Sequence, residues 1–386
     1  MRTWALPEHI EDLLPAEAAK LERMRRVALD CFAVHGYQLV VPPLLEYVES
    51  LLSGTGHDMD LATFKLVDQL SGRMMGIRAD TTPQVARIDA HILNKQGVAR
   101  LCYAGSVLHT RPVGLGKSRQ PFQVGAELYG HAGLEADIEI LELTLDVLAQ
   151  LGVKGVTVDI GQPAVFRALV KLAGLDAETA EQVFNAIENK DQPAMNELAP
   201  RMGSLAPAFQ SLTKLSGGKD ALDRAHATLP KDTAIDAALD QLAHMVAHFS
   251  ELGVPLSIDL AELGGFNYES GLTFAAYAAG ASDAVARGGR YDEVGKAFGR
   301  ARAATGFSMD LKSLLALSNE SATRKAILAP AVVDAAAREA IRALRAKGEI
   351  VIARLPGHEA HIAELGCDHE LVLNDGAWKV AATPLK

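Results

Sequence analysis

The chain has 386 residues, 49% of them hydrophobic and 22% charged, and a formal net charge of −10. That is more than one ordinary domain with enough apolar side chains for a sizeable core, and the acidic balance with no Lys/Arg run argues against a nucleic-acid backbone as partner. Cys31, Cys102 and Cys367 form no CxxC, Met1-Arg2-Thr3-Trp4 leads into no apolar leader, and no uncharged apolar run reaches about 18 residues, so a cytoplasmic protein without disulfides or membrane spans is expected.

In chain order, residues 15–35 carry Leu21, Met24, Val27, Ala28 and Cys31 at helical spacing, with Gly36 as the stop. Residues 37–41 predict a strand that Pro42-Pro43 interrupts. Residues 63–68 and 73–78 flank Ser71-Gly72 and predict a β-hairpin. Asp80-Thr81-Thr82-Pro83 has a capping side chain and a proline in the first turn, a helix start. Two strands, 100–110 and 121–130, are joined by a long exposed connection, and 134–151 is a periodic amphipathic helix followed by a strand at 156–160.

Residues 163–252 are Ala-rich and poor in strand formers, and predict a helical insertion. Strands return at 256–260 and 268–276, helices at 293–298 and 307–316. A polar linker at 318–324 leads to a β-α-β-α-β-β pattern over 325–386. Strands in hairpins with helices grouped apart predict an α+β fold, an antiparallel sheet with flanking helices, over residues 1–317, and a small α/β appendage after it.

Several chemistries are missing. Gly116-Lys117-Ser118 resembles the end of a phosphate-binding loop, but the required upstream glycine position is Arg111. His358-Glu359-Ala360-His361 lacks the i, i+4 histidines of a zinc helix and reads as a polar surface helix. No metal or cofactor is expected. On the strand containing Gln123 to Tyr129 side chains alternate, so Gln123, Gly125, Glu127 and Tyr129 share one face, and Val124, Ala126 and Leu128 the other. An amide and a carboxylate then point together, with Gly125 between them leaving room for a ligand.

Four segments in order carry a resemblance. Tyr37 to Glu46 resembles the dimer-forming first motif of class II aminoacyl-tRNA synthetases, a strand ending in proline. Ile77-Arg78-Ala79-Asp80-Thr81-Thr82 stands where histidyl-tRNA synthetases have Arg-Pro-Glu-Gly-Thr. Gly105 to Pro112 with Gln123 to Gly130 resembles their second motif and the strand behind it. Gly264-Gly265-Phe266-Asn267-Tyr268, Gly288-Gly289-Arg290-Tyr291-Asp292 and Gly306 to Leu311 match the histidine-specific segment, the Gly-Gly-Arg-Tyr strand and the third motif. The resemblance covers about residues 5–317 and implies a class II synthetase-like antiparallel sheet.

It also implies which residues are missing. The second-motif arginine that holds the ATP α-phosphate and the amino-acid carboxylate is Leu108, and the adenine-reading glutamate is Thr110. The third-motif arginine is Ser313, and the histidine-specific arginine is Gly264. Adenylate formation builds negative charge on phosphorus, and each lost donor costs on the order of 10²–10³ in rate. By the same resemblance a histidine pocket survives: Glu127 to accept from an ammonium or imidazole N–H, Asp80 as a second carboxylate for the amine, Gln123 to donate and accept, Thr81 and Thr82 beside them, and Tyr268 and Tyr291 around the ring.

A kept amino-acid pocket, lost ATP arginines and a shortened C-terminal domain resemble the regulatory subunit family of ATP phosphoribosyltransferase. That resemblance implies a non-catalytic subunit, dimeric by itself and without tRNA, that assembles with a short-form catalytic subunit. The complex joins ATP to phosphoribosyl pyrophosphate in the first step of histidine biosynthesis, and histidine inhibits it by feedback. The competing readings are a histidyl-tRNA synthetase with degenerate motifs and a free-standing histidine sensor.

Overall fold

A computed structural model describes residues 4–54, 56–112, 114, 117–264, 269–319, 326–331, 334–357 and 364–382. Tyr268, and the His358–His361 stretch weighed above as a metal site, lie outside them. The chain divides into two compact units, Met1–Glu320 and Ser321–Lys386.

The strands of the first unit, in chain order, are β1 (Gln38–Leu39), β2 (Leu45–Tyr47), β3 (Phe64–Val67), β4 (Met74–Ile77), β5 (Ala99–Ser106), β6 (Phe122–Tyr129), β7 (Thr157–Gly161), β8 (Ser216–Gly217), β9 (Leu256–Asp259), β10 (Thr273–Tyr277), β11 (Ala286–Arg290) and β12 (Ala304–Asp310). Among the described residues nine form one sheet in the order β1-β5-β6-β12-β11-β10-β7-β9-β8, antiparallel except for the β1–β5 and β7–β9 pairs. β2, β4 and β3 make a small separate antiparallel sheet.

The two faces of the large sheet differ as alternation requires. Val124, Ala126 and Leu128 pack with Met24 and Phe32 of the helix Pro15–Val34 and with Ile140 and Leu141 of the helix Leu134–Gln150 in the main core. The opposite face carries a smaller cluster, where Leu101, Tyr103, Tyr129 and Tyr291 meet Val85 of the helix Thr82–Arg87. That face holds the polar side chains described below. Residues 163–251 are six helices, the 3₁₀ turn Gly203–Leu205 and the two residues of β8, and their apolar faces join the main core.

Two expectations change. Of residues 37–41 only Gln38–Leu39 form a strand, with one further bond from Val40 N to Cys102 O at 2.9 Å, and the two prolines that follow have no N–H to continue the ladder. Residues 307–316 were expected to be helical, yet residues 304–310 are β12, near the middle of the sheet, and the helix is only Leu311–Leu314. Most of β12 is buried on both faces, and a continuous apolar run has no period that separates strand from helix.

In the second unit β13 (Ala326–Ala329), the helix Ala335–Ala346, β14 (Ile350–Ala353), β15 (Cys367–Asn374) and β16 (Ala377–Ala382) form a four-stranded sheet in the order β14-β13-β15-β16 with one helix packed against it. The second helix expected there falls on residues outside the description.

Candidate ligand-binding site

β6 places Glu127 in the interior at 1% exposure. Its Oε1 accepts from Thr82 Oγ1 at 3.0 Å and from the Tyr103 hydroxyl at 3.2 Å, and its Oε2 accepts from the Tyr291 hydroxyl. Tyr291 also points its hydroxyl at that of Tyr129, 3.4 Å away. Gln123, at the other end of β6, donates from Nε2 to Asp80 Oδ1 at 2.7 Å and accepts from Thr81 N at 3.0 Å. Asp80 Oδ1 in turn accepts from Thr82 N, the first N–H of the helix Thr82–Arg87, at 3.1 Å. One short helix start therefore fixes both carboxylates against the strand.

These groups border a cavity of about 160 Å³ whose walls include Asp80, Thr82, Glu127, Tyr291, Glu269 and Arg287. Its floor lies over β12, where Gly306 pairs with Glu127. A Cβ at residue 306 would overlap the Glu127 carboxylate, so glycine is required there. The expectation that Gly125 leaves room for a ligand does not hold. The space beside Gly125 is instead filled by the Tyr103 phenol, which a Cβ would strike.

Of the expected residues, Asp80, Thr82, Glu127 and Tyr291 line this cavity. Gln123 lines the adjoining one, and Thr81, at 1% exposure, contributes its backbone N–H from behind. Tyr268 is not described. Tyr103, Glu269 and Arg287 were missed by the sequence reading. Arg287 was legible only as one of two arginines, with Arg290, on the glycine-containing strand β11; Glu269 had no comparable signal.

Burial pushes the Glu127 carboxyl up to about 8, with Asp80 adding to the rise, against the three hydroxyl donors. Burial likewise pushes Glu269 up to about 8. A carboxyl raised in the folded state keeps its proton while the unfolded chain has lost it. Its contribution is complete at acid pH, below the ordinary carboxylate range, and is lost as pH rises toward 8. The ligand-free protein compared with Glu127→Gln should therefore lose relative stability between pH 5 and pH 8. Parallel thermal denaturation series check this, and a constant difference between the two proteins would contradict it.

The adjoining cavity, about 240 Å³, is bordered by His109, Lys117, Asp283, Arg287, Asp310 and Ser313, among others. Of the departures from the synthetase pattern, Ser313 borders this cavity, and Thr110 and Gly264 are not among its lining residues. Ser313 Oγ donates to Asp310 Oδ2 at 2.6 Å, Thr110 Oγ1 donates to Leu61 O at 2.6 Å, and Gly264 has φ +56°. Lys117 and Arg287 approach the same carboxylate, Asp283, at 3.9 and 3.3 Å. The lysine and arginine charges bordering this cavity are thus already opposed by carboxylates.

Comparison with known proteins fits this geometry. Residues 9–314 match the family described as histidyl-tRNA synthetase, and residues 324–381 match the C-terminal domain of the ATP phosphoribosyltransferase subunit HisZ. A solved Bacillus halodurans structure, described as an ATP phosphoribosyltransferase regulatory subunit/histidyl-tRNA synthetase, superposes with TM-score 0.81 at 24% identity, over 95% of this chain and 96% of that one. Histidyl-tRNA synthetase from Nostoc sp. PCC 7120 gives 0.77 at 17% identity, over 99% and 97%. The fold is therefore that of a histidyl-tRNA synthetase-like class II protein. ATP phosphoribosyltransferase regulatory subunits from Cupriavidus necator and Methylobacillus flagellatus are 55% and 51% identical over 380 and 385 residues, covering 98% and 100% of both chains. The chain belongs to the ATP phosphoribosyltransferase regulatory subunit family.

Proposed function

We propose that this chain works as the non-catalytic regulatory subunit of ATP phosphoribosyltransferase in the cytoplasm. It assembles with a separate short catalytic subunit for the first step of histidine biosynthesis, and binds histidine in the Glu127 cavity to transmit feedback inhibition. The observation that carries this reading is an ordered carboxylate pocket beside a cavity stripped of phosphate-binding arginines. Glu127 and Asp80 are positioned by Thr82, Tyr103, Tyr291 and Gln123, as an amine and a ring N–H require. Leu108, Gly264 and Ser313 stand where a synthetase needs guanidinium groups.

Alone, the protein should give no histidine-dependent ATP–pyrophosphate exchange above background. Exchange at a rate on the order of 1 s⁻¹, ordinary for an enzyme, would support the degenerate-synthetase reading instead.

The first-motif strand supports self-association. Leu39, Val41, Leu44 and Leu45 are exposed along and beyond β1, an edge strand of the large sheet. Edge strands with exposed apolar side chains are ready partners for a second copy. Light scattering on the isolated chain should return about twice its 41.0 kDa mass. A monomer at micromolar concentration would remove the dimer from the account.

A further inference from the structure

Glu269 lines the same cavity as Glu127, and no hydrogen bond holds its carboxyl among the described residues: Oε2 is enclosed against Gly264, and Oε1 stands beside Gly289 of the cavity floor. A buried acceptor left unmade is costly, so such a group in a cavity wall is satisfied by what enters the cavity. The sheet register places it. Glu127 pairs with Gly306 on β12, and Gly306 pairs with Gly289 on β11. A Cβ at residue 289 would come within 3.1 Å of Glu269 Oε1. The two carboxyls thus stand over two paired glycines of neighbouring strands, Glu127 over Gly306 and Glu269 beside Gly289, about one strand spacing or roughly 5 Å apart at those glycines. Asp80 stands on the Glu127 side, since both carboxylates are held by Thr82. Glu269 is therefore on the wall opposite the proposed amine site.

Given the reading of this cavity as a histidine site, on which the inference rests, we propose that Glu269 is a specificity-determining residue that binds the distal ring nitrogen, Nε2, of the ligand. Nε2 is the atom of histidine farthest from the amine along the side chain, and it alone reaches the far wall while the amine sits at Asp80. Protonated, Glu269 donates to a bare ring nitrogen; ionised, it accepts from an N–H. Burial and the nearby Glu262 hold its proton, while Arg167 and Arg287 work against it. A ligand whose Nε2 carries a methyl group can do neither, so the site selects an unsubstituted imidazole.

The same carboxyl accounts for Gly264. A side chain there would overlap Glu269 Oε2, and the backbone sits at φ +56°. The position where a synthetase places its histidine-specific arginine is closed by Glu269. A guanidinium suited to a phosphate is absent, and a carboxyl suited to an imidazole occupies its space.

The test is calorimetric titration of the full chain with histidine, Nτ-methylhistidine (substituted at Nε2) and Nπ-methylhistidine. The wild type should prefer histidine over the Nτ-methyl compound by tenfold or more. In Glu269→Ala the vacated space admits the methyl group and the preference should fall to within about threefold, while Nπ-methylhistidine stays excluded by the Glu127 side. Glu269→Leu keeps the volume without the polar group; should the alanine variant fail to fold, it should still lose tenfold or more in histidine affinity. An unchanged affinity and preference in a folded variant, with histidine still bound, would overturn the role of Glu269 and leave the pocket standing. If the wild type binds no histidine at all, the pocket reading itself fails.

Discussion

Glu127→Ala should nearly abolish histidine binding while leaving the subunit folded. Its carboxyl is the common acceptor of the Thr82, Tyr103 and Tyr291 hydroxyls and lies in the wall of the proposed ligand cavity. Truncating a buried, charge-assisted contact costs roughly 2–5 kcal/mol, a factor of about 30 to several thousand in affinity. The fold should tolerate the loss because the freed hydroxyls keep partners of their own, Thr82 with Tyr103 at 3.1 Å and Tyr291 with Tyr129 at 3.4 Å. β6 lies inside the sheet between β5 and β12, so its residues are not surface contacts for another protein. The variant should therefore still join the catalytic subunit and support phosphoribosyl transfer, and lose only inhibition by histidine. Coupling is reciprocal, so in the wild type whatever favours the active state of the complex weakens histidine binding by the same factor. Titration of the variant and its inhibition curve in the complex decide the matter. An affinity equal to wild type would remove Glu127 from the site. A weakened affinity with inhibition at the wild-type concentration would move the inhibitory site elsewhere.

A larger effect on stability is expected from Asp137→Ala. Arg290 donates from Nε and Nη2 to Asp137 Oδ2 at 3.1 and 2.9 Å, and from Nη1 and Nη2 to the carbonyls of His131 and Gly133 at 3.2 and 3.1 Å. The two side chains are 9% and 5% exposed. Removing one member of such a pair leaves a buried charge and costs about 3–5 kcal/mol. The melting temperature should fall on the order of 10 °C. The next residue is Tyr291, whose hydroxyl holds Glu127, so the ion pair that ties β11 to the helix Leu134–Gln150 also sets one wall of the cavity. A loss below about 1 kcal/mol in chemical denaturation would mean that the neighbouring carbonyls and Asp292 suffice to hold Arg290.

What could be read from the sequence follows from how each residue is buried. The faces of β6 were legible because one side is apolar throughout and the other mixes an amide, a carboxylate and a phenol, which is what a period of two displays. The same rule failed on β12, whose two faces are both covered, and an expected helix became the strand that carries the cavity floor. The site was legible where a carboxylate sits at a helix start or on an alternating strand, as Asp80 and Glu127 do. It was not legible where tertiary contacts decide. Only the packed Tyr103 ring tells that the space beside Gly125 is filled, and only the packed Glu127 carboxylate tells that residue 306 must be glycine. Glu269 lies between Tyr268 and Ser270 with no period to mark it as inward, and it meets the cavity because the β10–β11 ladder brings it beside Gly289.

The most direct measurement is phosphoribosyl-ATP formation by a short-form catalytic subunit, assayed alone, with this chain, and with this chain plus histidine. The account predicts negligible turnover by the catalytic subunit alone, turnover on mixing, and suppression by histidine that Glu127→Ala abolishes in the same assay. A catalytic subunit equally active without this chain, or inhibition that the Glu127 variant leaves intact, would contradict it.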